Sequence, residues 1–204
     1  MTFPTPPEEL LQGVPPTFLP VRGMWPWALA TFVEEGAPLF NPDHLHLLGA
    51  DVLFLWASYD ERRDGRSVVG TAELNRKQDA RWTQGRLEAA FREWNEGSAP
   101  DFVVTLSVPF FAKATPLQAC AVVEHELYHC GQKVDRYDCP EYNADGSPKY
   151  AMRGHDVEEF IGVAARYGAY SPALRQLRDA LNAPAMIPVE SAEAAMCGCG
   201  AKLG

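Results

Sequence analysis

No stretch of this 204-residue chain approaches the roughly 18 consecutive apolar residues that a membrane-spanning helix requires. The opening segment MTFPTPPEELL lacks the basic start and long apolar run of a secretory leader, so the expected location is the cytoplasm, away from any membrane. Cysteine is scarce: five residues, an odd number at irregular spacing, read as free thiols in a reducing compartment and not as a disulfide framework. Positive charge is also short. Lys and Arg number 18 against 27 Asp and Glu, a net charge of −9, which gives no footprint for nucleic acid. Arg62, Arg63 and Arg66 make one small basic cluster that reads as a solvated turn. No internal repeat is visible. What the chain does have is apolar residues, 47% of the total, enough for one domain to fold without staples.

The composition divides the chain into a Pro-rich segment at 1–49, a folded domain at 50–182 and a flexible tail at 183–204. Within the first, six prolines before residue 22 favour extended surface chain, and residues 27–35 suggest a short helix closed by Gly36. Residues 51–56 form a short apolar run suited to a buried strand, and 67–72 a second strand across a turn at Asp64-Gly65, together a hairpin. Residues 77–94 read as an amphipathic helix with Trp82, Leu87, Phe91 and Trp94 near one face. Residues 101–110 are the strongest strand candidate, and Pro109 near the end suggests an edge position. Residues 134–153 are a polar loop of unusual length, a type that tends to be functional. Two helices follow: 155–167, with Val157, Phe160, Ile161 and Ala164 inward, and one capped by Ser171-Pro172 with Leu174, Leu177 and Leu181 inward. Cys197 and Cys199 in the tail have the wrong spacing for a zinc knuckle.

The informative stretch is 115–131, TPLQACAVVEHELYHCG. Thr115, Pro116 and Gln118 form a helix start with a capping box, and Gly131 stands where a glycine would end the helix. Between them the apolar approach gives way to His125-Glu126-Leu127-Tyr128-His129. On a helix this H-E-x-x-H pattern sets two imidazoles one turn apart on one face, able to share a zinc ion. The Glu beside the first His is then placed as general base for water. Tyr128 points off that face and reads as packing.

A catalytic zinc takes three protein ligands and keeps one position open. His155 is the preferred third ligand: imidazole suits zinc, and Gly154 before it gives the backbone freedom to approach. Asp135, ten residues after His125, is an alternative, but that compact layout wants glycine at 132, where this chain has Gln132. Glu158 or Glu159 would serve a site with a downstream Glu. Asp156, Glu158 and Glu159 otherwise read as carboxylates supporting the ligands. Tyr137, Tyr142 and Tyr150 are candidates for an oxyanion donor.

The order of DFVVTLSVPFF, ACAVVEHELYHC, a polar loop and GHDVEEFIGVAARYG resembles the phage metallopeptidase family and, more distantly, SprT-like zincins. The resemblance covers about residues 50–182. It implies His125, His129 and His155 as zinc ligands, Glu126 as general base, a peptide or protein substrate, and the cytoplasm of a bacterial host. The expected fold is a small α+β zincin-like domain. Its short, mostly antiparallel sheet would pack on the active-site helix and a second, ligand-bearing helix, with strand 101–110 beside the cleft. Nothing in these 204 residues resembles the SprT-like DNA-binding tail, so no nucleic-acid partner is expected. The rival reading is a non-catalytic module in which zinc staples two helices and the surface binds a partner protein.

Overall fold

The computed structural model describes residues 1–12, 15–63, 65–76 and 79–197, the last without its side chain. Residues Met1–Arg153 and the helix at Val189–Cys197 belong to one unit, and Gly154–Pro188 form a second.

The first unit is built on a four-stranded sheet. Strand β1 is Phe18–Pro20, β2 Val52–Ala57, β5 Gly70–Leu74 and β6 Phe102–Ser107; β3 (Glu61–Arg63) and β4 (Arg66–Val68) form a separate small hairpin. The spatial order is β1-β2-β6-β5. β2 runs parallel to β6 from Val52↔Phe102 to Ala57↔Ser107, and the other two pairings are antiparallel, so the sheet is mostly antiparallel and the fold α+β. Strand 101–110 is therefore central, not an edge. The reason is legible in hindsight: Phe102, Val103, Val104 and Leu106 are all buried, the apolar run of a strand covered on both faces. Pro109 does not close it either. Ser107 caps a short helix α3 (Val108–Phe111), accepting from the Phe110 N–H, and Pro109 sits in its first turn. The hairpin expected between 51–56 and 67–72 is also corrected, because β6 lies between β2 and β5.

A parallel pair needs a crossover, and helix α2 (Arg81–Trp94) supplies part of it. Its Leu87, Phe91 and Trp94 pack on Leu53, Leu55 and Val103. Trp82, expected on the same face, is 84% exposed. Nine residues at about 100° each place it half a turn away from Phe91, on the solvent side.

The Pro-rich leader is not loose surface chain throughout. Phe3 and Leu10 are buried, and Phe3 meets Trp27 edge-on at 4.8 Å and stacks on Phe111 at 6.1 Å. Helix α1 (Met24–Ala28) continues into a wider turn over Leu29–Val33 and contributes Met24, Trp27, Phe32 and Val33 to the core. Beyond residue 183, expected to be flexible tail, Val189–Cys197 is a helix that packs on the motif helix. Trp27 Nε1 donates to Ala195 O at 3.0 Å and Phe3 N to Met196 O at 3.2 Å. Small Ala192 and Ala195 make that contact face, which is why no apolar stripe announced it. Cys199 and the Cys197 side chain lie outside the described residues.

The motif helix α4 is Pro116–His129. Its start is as expected: Thr115 Oγ1 accepts from Gln118 N, and the Gln118 side chain accepts from Thr115 N. Ala119, Cys120, Val123 and Leu127 bury its inner face, and burying a leucine such as Leu127 stabilises by roughly 1.5–3 kcal/mol. Its end is not the expected glycine stop. Cys130 is the cap residue, and Gly131 belongs to strand β7 (Cys130–Gln132), paired antiparallel with β8 (Tyr150–Met152). A Cβ on Gly131 would stand 3.1 Å from Ala151 O, so this glycine serves close strand pairing. The long polar loop is accordingly a ribbon, with further bridges at Val134↔Pro140 and Tyr142↔Pro148.

The second unit holds α5 (Ile161–Tyr167) and α6 (Pro172–Asn182), the latter capped by Ser171 as expected. No helix begins at His155, so the expected ligand-bearing helix is corrected to an irregular segment at 155–160. Glu159 explains the late start. Its carboxylate accepts from Phe160 N at 2.7 Å and from the Tyr170 hydroxyl, which holds the chain extended up to Phe160. Phe160, Ile161, Leu177 and Leu181, all expected inward, are exposed. Among the described residues no helix is long and apolar enough to cross a membrane.

Candidate metal centre

The last turns of α4 carry His125, Glu126 and His129. Helical spacing brings the two imidazoles together: their centroids are 4.9 Å apart with rings at 84°, and their ligand nitrogens lie within 4.8 Å. His129 Nδ1 lies 2.7 Å from Arg153 O. A carbonyl only accepts, so Nδ1 carries the proton and Nε2 carries the lone pair that a metal requires. The carbonyl thus fixes both tautomer and ring orientation. β8 supplies this contact because its pairing with β7 continues to Arg153 N, which donates to His129 O at 3.0 Å.

Glu126 lies between the two histidines and is only 3% exposed. Burial pushes its carboxyl up to about 7, and Oε2 has no hydrogen-bond partner among the described residues. A buried carboxyl oxygen without a partner is costly, by roughly 1–3 kcal/mol, and such costs concentrate at working sites. On the neighbouring flank, Tyr128 packs edge-on against buried His44 at 4.6 Å, and the Arg153 guanidinium lies over its ring at 5.2 Å. Asn41 Nδ2 donates to Tyr128 Oη and to Glu124 Oε1, each at 2.8 Å, and His46 Nε2 donates to Cys130 O at 2.7 Å. Tyr128 is packing, and the helix end is pinned from the Pro42–Gly49 turn.

The other candidates are placed as follows. Asp135 Oδ1 accepts from Tyr137 N at 2.7 Å and Cys139 N at 3.0 Å, closing a turn of the ribbon. Among the described residues of the first unit, no His, Cys, Asp or Glu joins the pair as a third donor. His155 and Glu158 lie in the second unit, 3.7 Å apart, and Glu159 there is held by Tyr170, whose hydroxyl keeps it below the usual carboxylate range. Tyr137 and Tyr142 are exposed, while the Tyr150 hydroxyl is buried near Asp101, and burial pushes it up to about 12. Sequence reasoning missed Arg153, His46, Asn41 and Gly70. The first three act through backbone or side-chain atoms of long-range partners, and no local pattern marks them.

Comparison with curated proteins and with solved structures returns no match. A family model does match, over residues 25–182, and its description is putative phage metallopeptidase. That span covers most of the chain and includes the histidine pair, Glu126 and His155, and a metallopeptidase implies both a bound metal and a peptide or protein substrate. The chain belongs to the phage metallopeptidase family.

Proposed function

We propose that this protein is a zinc-dependent peptidase in which His125, His129 and His155 hold the metal and Glu126 is the general base. The observation that carries the reading is Glu126: a buried carboxyl with an unpartnered oxygen and a proton affinity near neutrality, on the helix turn that carries two imidazoles of fixed spacing. The donor set fits the metal. His129 has its lone pair on Nε2, and three neutral nitrogens suit zinc. His155 follows from reach as well as chemistry. Among its described residues the first unit offers the pair no third donor, and His155 is two residues beyond Arg153, so covalent geometry alone keeps its Cα within about 7.6 Å of the Arg153 Cα.

Bound zinc supplies a Lewis acid that polarises the scissile carbonyl and makes water acidic enough to ionise near pH 7. Glu126 accepts the proton of the attacking water at a carboxylate oxygen and delivers it to the departing amine nitrogen. A group with a proton affinity near 7 can do both at neutral pH. β5, not strand 101–110, is the outer strand beside α4, and its free edge is where an extended peptide would pair. A peptide-library screen of zinc-loaded protein tests the proposal. Cleavage by wild type, abolished in Glu126→Gln with zinc retained, supports it; equal cleavage by both proteins rejects Glu126 as the base.

A further inference from the structure

Gly70 opens β5, and its φ is not in the left-handed region, so the backbone does not call for glycine there. Glycine in a strand costs conformational entropy and offers nothing to pack, so its presence needs another reason. The reason is Glu126. A Cβ built on Gly70 would stand 2.5 Å from Glu126 Oε1 and 3.0 Å from both its Cδ and Cγ, and no other atom would be nearer. The strand cannot recede to make room. Gly70 pairs with Leu106 on the central strand, and Ser107 N donates to Val69 O at 3.0 Å. The helix is held as firmly, by its capping box and by buried Val123 and Leu127 on its inner face. Only the Glu126 side chain is left to yield.

We propose that Gly70 is the positioning residue for Glu126: the missing side chain is the space that seats the carboxyl beside the histidine pair. Any side chain at 70 would turn the carboxyl out of that seat while sheet and helix stay in place. The inference rests on reading Glu126 as the general base, and it adds that the base is held in position from the sheet as well as from its own helix.

The test is Gly70→Ala. One readout needs no substrate: the carboxyl resonance of Glu126 in metal-free protein with ¹³C-labelled glutamate, assigned by its loss in Glu126→Gln. This resonance should move in Gly70→Ala while the other glutamate carboxyls stay. Zinc stoichiometry should equal that of wild type. On a peptide found in the library screen, kcat should fall about 10²-fold with KM within about twofold, the scale expected for a misplacement near 1 Å. An unmoved resonance overturns the proposal, and so does a kcat within about twofold of wild type while Glu126→Gln is inactive. An active Glu126→Gln instead sinks the general-base reading itself, a distinct outcome. If Gly70→Ala does not fold, Gly70→Ala/Glu126→Ala should, because the crowded side chain is gone. Failure of that double variant would show that the clash lies elsewhere and would overturn the proposal.

Discussion

Raising the pH through neutrality should destabilise the metal-free protein through one group, Glu126. Its carboxyl ordinarily titrates at 4.5, and in the folded protein burial pushes it up to about 7. The folded state then holds this proton more tightly than the unfolded chain. Below 4.5 both states are protonated and the group contributes no difference. Between 4.5 and 7 the unfolded chain ionises first, so stability falls as pH rises, and above 7 the full penalty is present. At about 1.4 kcal/mol per pH unit, the gap amounts to about 3 kcal/mol, or roughly 6–12 °C in Tm for a chain this size. The side chain is only 3% exposed, so solvent screens little of this penalty. Glu126→Gln removes the titration and keeps the shape. Urea unfolding of chelated wild type and Glu126→Gln at pH 4.5 and pH 8 isolates the effect, since every other group cancels in the difference. The variant should be more stable by about 3 kcal/mol at pH 8, with that advantage gone at pH 4.5. A difference that is the same at both pH values would refute the reasoning.

Zinc analysis of purified variants should show loss in His125→Ala, His129→Ala and His155→Ala and retention in Asp135→Ala; full zinc in His155→Ala would remove it from the ligand set. Thr115→Ala removes the hydroxyl half of the capping box, the acceptor for Gln118 N, and should cost about 1 kcal/mol in urea unfolding. Leu127→Ala, in the fully buried face of α4, should cost roughly 2–5 kcal/mol, whereas Trp82→Ala on the solvent face of α2 should stay within about 0.5 kcal/mol. Similar costs for those two would contradict the placement of α2.

The motif helix was legible because its signals are local: a cap, a proline in the first turn, an apolar approach and two histidines one turn apart lie within fifteen residues. Strand β2 was legible as an apolar run bounded by polar residues. What escaped is long-range. The neighbour of β6 on each side is set by pairing, so Pro109 misled where the buried face of every residue from Phe102 to Val104 should have prevailed. Phe3 and the helix Val189–Cys197 bury few residues each, but bury them against Trp27 and α4, which no window along the chain contains. Gly70 looks like any strand glycine until Glu126, 56 positions later, is set against it. The Arg153 carbonyl that orients His129 has no side-chain signature at all.

The central claim is most directly tested by returning zinc to chelated protein, one portion at a time, while following cleavage of a peptide library for wild type and Glu126→Gln in parallel. The account predicts that wild-type cleavage appears with zinc and saturates at about one ion per chain, while Glu126→Gln takes up the same zinc and cleaves nothing. Zinc uptake by wild type without cleavage of any peptide, or undiminished cleavage by Glu126→Gln, would contradict it.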